Sequence, residues 1–245
     1  MQRRDYVTMN VYWFGLAFMW NALHPIVLPA LLLRFVPEAF KNTYLGGMTF
    51  AGLILAMVIQ PIAGGLSDRT RSRWGRRGPW IAVGTLCALV ALAAMAISGG
   101  YWALLVAYLL LQVASNGAHG PAQGLIPDLV SEERRGLASG IKNLFDMGGL
   151  VVASLVAGQL MGDDNPVLAF VVIGALLLAS SVITLLGSRE RSASNLDESA
   201  VSLGLRDIIQ ADFKRYPDYA RLLVSRFFIL LLRKTKIFND FVICF

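Results

Sequence analysis

The stretch that decides the fold reads GGLSDRTRSRWGRRGP and runs from Gly64 to Pro79. It places five arginines and one aspartate between two long, nearly uncharged apolar segments. Short arginine-rich loops of this kind stay on the cytoplasmic side of membrane proteins, whereas a soluble domain has little reason to place such a cluster there. The stretch therefore predicts a membrane protein and also gives its orientation.

The composition favours the same class of protein. Of the 245 residues, 56% are hydrophobic and only 16% are charged, against roughly 25% in soluble domains. Six apolar runs reach the length that a helix needs to cross a bilayer, which is about 20 residues. They cover residues 11–33, 44–66, 79–98, 101–126, 137–161 and 166–187. These runs are too long for barrel strands, so we expect an all-α bundle of six transmembrane helices.

Basic residues are distributed unequally between the two ends of these runs. The richer end carries Arg3, Arg4, the loop 64–79, Arg134, Arg135, Arg189 and Arg191. The positive-inside rule places that end in the cytoplasm, together with the N-terminus and residues 188–220. We expect a multi-pass protein of the cell membrane. The net charge of +6 follows from this asymmetry and does not indicate a nucleic-acid partner.

No enzyme chemistry is visible in the sequence. It contains no phosphate-binding glycine-rich loop with Lys-Ser/Thr, no metal-ligand spacing and no nucleophile elbow. The two cysteines, Cys87 and Cys244, indicate neither a disulfide framework nor a metal site. We therefore expect a protein that is not an enzyme and that has no cofactor.

The first and fourth runs share an Asn-x-x-His motif followed by proline. It reads NALHP over residues 21–25 and NGAHGP over residues 116–121. Such weak internal symmetry is typical of transporters built from inverted repeats, here two units of three helices. Prolines inside spanning helices free backbone carbonyls, which favours helices that line a wet cavity. A chance match and simple packed kinks are the alternatives.

With six helices, cytoplasmic ends and this loop, the chain resembles the N-terminal half of a major facilitator superfamily transporter. The family joins helices two and three by Gly-x-x-x-Asp-Arg/Lys-x-Gly-Arg/Lys-Arg/Lys, matched here by Gly64, Asp68, Arg69 and residues 75–77. The longer spacing between Arg69 and Gly75, and IPDLV after helix four, resemble the glycoside–pentoside–hexuronide and sucrose-transporter-like branches. The resemblance implies a 3+3 inverted-repeat fold and alternating-access secondary transport of a sugar-like or other small polar solute.

The resemblance also implies a conformational gate at the cytoplasmic end. In the family, charged contacts of the loop latch that side in one state and break in the other. Asp68 can accept charge-assisted hydrogen bonds from arginines such as Arg76 or Arg135. The predicted gate residues are Gly64, Asp68, Arg69, Gly75, Arg76, Arg77, Asp128 and Arg135. The alternative is that the arginines only set the topology.

Polar side chains within the apolar runs are the candidates for solute binding, because such groups usually face the bundle interior. Amides and imidazoles both donate and accept hydrogen bonds, which suits hydroxyl-rich ligands. The predicted substrate-binding residues are Asn21, His24, Gln112, Asn116, His119, Gln123 and Asn143. Tyr12, Trp13, Trp20 and Tyr108 could stack on sugar rings, although interfacial anchoring explains such aromatics equally well.

Asp146 is an acid placed well inside an apolar run, four residues after Lys142. It is either an ion-coupling carboxylate or half of a self-neutralising pair on one helix face. Sodium-coupled sugar transporters of the family carry acids in helices two and four, and this sequence has none in those helix cores. We therefore predict coupling to protons or to no ion, with Asp146 and His119 as the candidates.

The end of the sequence departs from the family pattern. Residues 1–187 are the predicted bundle, 188–220 a cytoplasmic linker, and 221–245 an incomplete seventh helix. The apolar run of this helix is interrupted by RKTK at residues 233–236 and is too short to span. A truncation or frameshift near Leu232 would explain this, and the partner would be a missing C-terminal half or a second copy in a homodimer.

Other functions stay open beside transport. The chain could be a non-transporting truncated fragment or a membrane interaction subunit. It could also be a lipid-type carrier, against which the number of amide side chains counts. In each case the lipid bilayer is an expected partner.

Overall fold

A computed structural model describes residues 3–162, 166–188 and 225. The chain divides into two units, Met1–Val201 and Ser202–Phe245, and the first unit contains everything discussed below. Nearly all of the predicted linker and the predicted incomplete helix, with its interruption after Leu232, lie outside the described residues. The parts that are described are helices and the short segments that join them.

The first predicted run is divided into three pieces. A short helix α1 (Arg3–Thr8) precedes α2 (Val11–Ala22), a π-helical turn (Leu23–Val27) and α3 (Leu28–Leu32). The turn contains Pro25, which has no N–H to donate and which crowds the preceding turn of helix. The backbone widens there, and the N–H of Leu28 bonds to the carbonyl of Leu23.

The remaining runs each form one long helix. They are α4 (Lys41–Asp68), α5 (Gly78–Ala96), α6 (Tyr101–Leu129), α7 (Arg135–Gly162) and α8 (Pro166–Gly187). Single 3-10 turns, Glu38–Phe40 and Glu132–Arg134, precede α4 and α7. The helices extend up to three residues beyond the predicted apolar runs, because a helix continues into the headgroup region after its apolar stretch ends.

Five stretches of helix are long and apolar enough to cross a membrane. They are Arg4–Leu32, Glu38–Asp68, Gly78–Ala96, Tyr101–Leu129 and Val167–Gly187. The predicted span that remains, 137–161, coincides with α7. Helix α7 is not one of these five within the described part of the chain. The all-α membrane class is therefore confirmed, and the count of six spans stays a prediction.

The helices pack in two similar groups. Helix α6 packs against α4 and α5, helix α2 packs against α7 and α8, and α5 meets α8. Suppose that α2 is equivalent to α6, α4 to α7 and α5 to α8. The contacts of α6 with α4 and α5 then correspond to the contacts of α2 with α7 and α8. This is the arrangement expected of two equivalent three-helix units.

Glycines allow the closest helix contacts. A Cβ added at Gly149 on α7 would lie 2.6 Å from the carbonyl oxygen of Phe14 on α2, and one added at Gly120 on α6 would lie 2.4 Å from that of Gln60 on α4. Close backbone approach is how helices associate in lipid, where no hydrophobic force drives them together. Glycine at these two positions lets α2–α7 and α4–α6 come into contact.

One end of the bundle is defined by the arginine-rich loop 69–77. Here α4, α6 and α8 end, and α2, α5 and α7 begin. Side chains join the elements at this end: Asn10 Nδ2 donates to the Ala138 carbonyl over 3.3 Å, and the Thr184 hydroxyl donates to the Thr8 carbonyl over 2.9 Å. We call it the arginine-loop end.

Candidate functional site

A continuous network of polar side chains lies between α2, α4 and α6. On α6, Tyr108, Gln112 and Asn116 are spaced by four residues and share one face. Asn116 Nδ2 donates to Gln112 Oε1 over 2.9 Å, and Gln112 Nε2 donates to the Tyr108 hydroxyl over 2.7 Å. His24 Nε2 lies 3.0 Å from that hydroxyl, and Gln60 Nε2 donates to Asn116 Oδ1 over 2.7 Å. The name polar network is used below for His24, Gln60, Tyr108, Gln112, Asn116 and His119.

The amides set the direction of hydrogen bonding in the polar network. Gln112 Nε2 donates to the Tyr108 oxygen, and His24 Nε2 lies close enough to the same hydroxyl either to accept from it or to donate to it. Gln60 Nε2 lies 3.4 Å from His119 Nδ1, and since an amide nitrogen can only donate, Nδ1 accepts. A neutral imidazole that accepts through one nitrogen carries its proton on the other. A neutral His119 therefore carries its proton on Nε2.

An aromatic ring and a lysine adjoin the network at His119. The Trp13 ring meets the His119 imidazole edge to face, with centroids 5.0 Å apart. Lys142 Nζ lies 3.8 Å from the centroid of the same indole, a geometry in which the ring face attracts the cation. This contact brings α7 to the site, and it places a positive charge beside neutral hydrogen-bonding groups.

The other end of the network is built on the π turn. His24 stacks on Trp20 with centroids 4.9 Å apart and an interplanar angle of 18°. The widened turn at Pro25 and the i, i+4 spacing of the two rings hold this pair together. The imidazole also meets the Tyr108 ring edge to face at 6.0 Å, so two ring contacts and one hydrogen bond hold it.

Several predicted site residues lie away from this network. Asn21 Nδ2 donates to the Ala17 carbonyl of its own helix over 2.7 Å. Gln123 and Asn143 are exposed. Asp146 is half-buried, and no ion pair within 4 Å joins it to Lys142 among the described residues. The self-neutralising pair suggested by the sequence is not formed, because the lysine turns to Trp13 instead.

A second buried polar cluster was not anticipated as such. The Thr85 hydroxyl lies 3.2 Å from both the Tyr12 and Ser181 hydroxyls, and the Tyr12 backbone N–H donates to Thr184 Oγ1 over 3.0 Å. The cluster joins α2, α5 and α8. Tyr12 is fully buried there, so its ring is not part of the polar network. Hydroxyl residues spaced along α8 are the sequence signal that could have found it.

At the arginine-loop end, the Arg77 guanidinium joins three helix ends. Arg77 precedes α5. It forms ion pairs with Asp68 at the end of α4 and, over 3.0 Å, with Asp128 near the end of α6. It also donates to the Gly64 carbonyl over 3.2 Å and to the Ser67 hydroxyl. The residue that reaches Asp68 is thus Arg77, and not Arg76 or Arg135 as the sequence suggested.

The other predicted gate residues surround this centre. Arg76 Nη2 pairs with Asp128 Oδ2 over 3.1 Å. Arg135 bonds to the Pro127 and Val130 carbonyls and to Glu132, so it caps the end of α6 rather than entering the ion pairs. The turn that orients the arginine pair is made at Gly75, whose φ of 86° is in the left-handed region that favours glycine.

A family model for the Major Facilitator Superfamily matches residues 6–241. The chain belongs to the major facilitator superfamily. An uncharacterised symporter, sll1374, of a Synechocystis strain is 31% identical over 179 residues, which cover 66% of this chain and 32% of that protein. Sucrose transport protein SUT1 of japonica rice is 33% identical over 118 residues, covering 38% of this chain and 22% of that protein.

The fold of this superfamily member agrees with solved structures. The human organic anion transporter MFSD10 (TETRAN) has a TM-score of 0.59 to this chain at 18% identity, covering 85% of this chain and 53% of that one. The chain spans about a third or less of the length of the curated relatives named above. The family and these relatives are transporters and not enzymes.

Proposed function

We propose that this chain forms one half of a secondary transporter whose solute binds against the polar network. The observation that carries the proposal is the continuity of that network, which presents hydroxyl, amide and imidazole groups from α4, α6 and the π turn. Neutral groups that donate and accept suit a solute rich in hydroxyls. The rice relative is a sucrose transport protein, which supports a sugar-like solute here.

Among the predicted binding residues, His24, Gln112, Asn116 and His119 have the strongest support. They belong to one network of hydrogen bonds. Asn21, Gln123 and Asn143 would contact solute only after a change in side-chain rotamer or against the other half. Gln60 and Tyr108 join the set, because each links two of the four.

The gate proposal rests on the ion pairs of Arg77. A latch must hold the helix ends together in one state and release them in another, and Arg77 contacts α4 and α6 from the start of α5. Breaking these charge-assisted bonds would free three helix ends together. Gly64, Gly75, Arg76 and Asp128 position or complete the latch. Arg69 and Arg135 flank it.

Proton coupling is assigned to Asp146 and His119. The hydrogen bonds between the two histidines pass through three amides, and amides donate and accept without releasing protons under ordinary conditions. The polar network is therefore not a proton relay from one histidine to the other. A proton at His119 would exchange through water, the solute or the nearby helix α7, which carries Asp146.

The remaining parts of the proposal concern the whole assembly. Six spans follow from the six apolar runs, and a cytoplasmic arginine-loop end follows from the positive-inside rule. A cell-membrane location belongs to the same proposal. A transporter of this fold holds its solute between two halves. A second copy of this chain or a separate C-terminal half would complete the cavity.

Sucrose binding to the purified chain tests the proposal. Equilibrium dialysis with radiolabelled sucrose should show saturable binding that Asn116→Ala weakens at least tenfold, since the substitution removes the centre of the network. Ser154→Ala is the matched control, because Ser154 is exposed and, within the described part of the chain, its hydroxyl bonds to its own helix at Leu150. Equal affinity of the wild-type chain and Asn116→Ala would contradict the proposal.

A further inference from the structure

An apolar groove runs along the outside of the bundle between α4, α5 and α6. Its volume is about 690 Å³, within the range of about 300–1,000 Å³ typical of small-ligand sites. It begins at Leu66 and Trp80, next to the arginine-loop end, and extends to Ala94. The described residues that line it are apolar, apart from the Cys87 thiol and the Trp80 indole nitrogen.

The groove and the polar network lie on opposite faces of α6. Leu110, Val113 and Gly117 line the groove, whereas the polar network uses residues 108, 112, 116 and 119. At 100° per residue these two sets point in opposite directions. Val90 on α5 is 71% exposed at the groove. The groove therefore faces away from the solute site, towards the lipid.

The groove is long enough to extend across one leaflet of a bilayer. From Trp80 to Ala94 is fourteen residues of α5, or about 21 Å of helix at 1.5 Å per residue. Half of a hydrocarbon core of about 30 Å is about 15 Å. An acyl chain that starts at the arginine-loop end can therefore lie in the groove along the full depth of its leaflet.

Unpaired positive charge lies at the mouth of the groove. Arg76 and Arg77 are engaged with Asp128 and Asp68, but no acidic side chain lies within 4 Å of Arg69, Arg71 or Arg73 among the described residues. One nitrogen of Arg69, Nη2, is buried and has no hydrogen-bond partner in the described part of the chain.

A hydrogen bond of the loop and the spacing of residues place these arginines close to the groove. The indole Nε1 of Trp80, which lines the groove, donates to the Thr70 hydroxyl over 2.7 Å. Leu66, another lining residue, is three positions before Arg69 and so shares a helix face with it. Arg71 and Arg73 follow in the same short loop and are exposed.

We propose that the groove binds an anionic phospholipid of the leaflet at the arginine-loop end. One acyl chain lies between α4, α5 and α6, and the phosphate is bound by Arg69, Arg71 and Arg73. Guanidinium groups form bidentate hydrogen bonds with phosphate, and Arg71 and Arg73 are exposed and can form them. This site does not depend on the proposed solute site, since it lies on the other face of α6.

Native mass spectrometry of the purified full chain tests the proposal with two lipids. Dioleoyl phosphatidylglycerol and dioleoyl phosphatidylcholine have the same acyl chains and differ in headgroup charge. Phosphatidylglycerol should bind at least tenfold more tightly, since each arginine near an anionic headgroup is worth roughly fivefold. Added salt should reduce this preference in the wild-type chain. Equal binding of the two lipids would overturn the proposal without any variant.

Two variants with matched controls test the two parts of the site. Replacing Arg69, Arg71 and Arg73 by glutamine should abolish the headgroup preference, whereas Arg134→Gln, another arginine of the same end, should leave it intact. Val90→Trp should fill the groove and weaken both lipids. Val171→Trp on α8, outward-facing and 59% exposed, should weaken neither. A preference that survives the triple substitution, or equal effects of the two tryptophans, would refute the assignment.

Discussion

Replacing Gly124 by alanine should release Arg77 from its ion pairs. The added Cβ would lie 2.4 Å from Cζ and 2.6 Å from Nε of the guanidinium, whereas ordinary contact begins at 3.4 Å. The guanidinium must therefore move by about 1 Å to remove the overlap. That movement takes Nε, now 3.0 Å from Asp128 Oδ2, beyond hydrogen-bond distance.

The size of the effect follows from two opposing contributions. Loss of one charge-assisted hydrogen bond destabilises by about 1.5–3 kcal/mol, whereas alanine is favoured over glycine in a helix by about 1 kcal/mol. The net destabilisation is about 0.5–2 kcal/mol. Thermal unfolding of the detergent-solubilised chain should show a Tm lower by roughly 1–8 °C.

Gly117→Ala is the matched control on the same helix. Nothing lies within 4 Å of a Cβ added there, so this variant should be as stable as the wild type or more stable. In an Arg77→Lys background, which removes the guanidinium but keeps the charge, Gly124→Ala should lose most of its effect. The reasoning is refuted if Gly124→Ala is as stable as Gly117→Ala, or if its effect is unchanged in that background.

Three further substitutions test neighbouring features. Asp128→Asn should lower the free energy of unfolding by about 2 kcal/mol, and Asp68→Asn by less than about 1 kcal/mol. The reason is that the Asp128 side chain is 21% exposed and pairs with two arginines, whereas that of Asp68 is 53% exposed and pairs with one. Equal effects in thermal unfolding would contradict this. Gly52→Ala should displace the Gln112 amide, since the new Cβ would lie 2.7 Å from its Nε2. Sucrose affinity measured by dialysis should then fall at least tenfold. Unchanged affinity would argue against the polar network as the solute site. Gly75→Ala should cost about 1–2 kcal/mol in unfolding free energy, because φ is 86° there, and a neutral result would show that the turn adapts.

The sequence was sufficient for the helices because length and hydropathy determine them directly. The predicted runs 44–66 and 101–126 became Lys41–Asp68 and Tyr101–Leu129. Both runs end two or three residues before their helices, at Leu66 and Ile126. The helices continue because their final acids, Asp68 and Asp128, are neutralised by arginine, which a hydropathy pattern does not register.

The site was predictable only in part, because helix faces depend on neighbours. Four of the predicted binding residues meet in the polar network, but Gln123 is exposed and Asn21 bonds to its own backbone. Spacing allowed either a pair between Lys142 and Asp146 or an ion-coupling role for Asp146, and it could not show that the lysine lies over the Trp13 ring. The partner of Asp68 depended on the path of the loop, which the turn at Gly75 decides.

The position of one guanidinium between three helix ends limits how this bundle can move. Because Arg77 binds the end of α4 and the end of α6 from the start of α5, these helices cannot slide past one another singly while it is bound. Such a link favours joint movement of α4, α5 and α6. The three amides of the polar network lie in this group, whereas His24 and Lys142 lie on the π turn and α7. If the proposed solute site is correct, one solute molecule would contact both groups of helices, and its size would influence the angle between them.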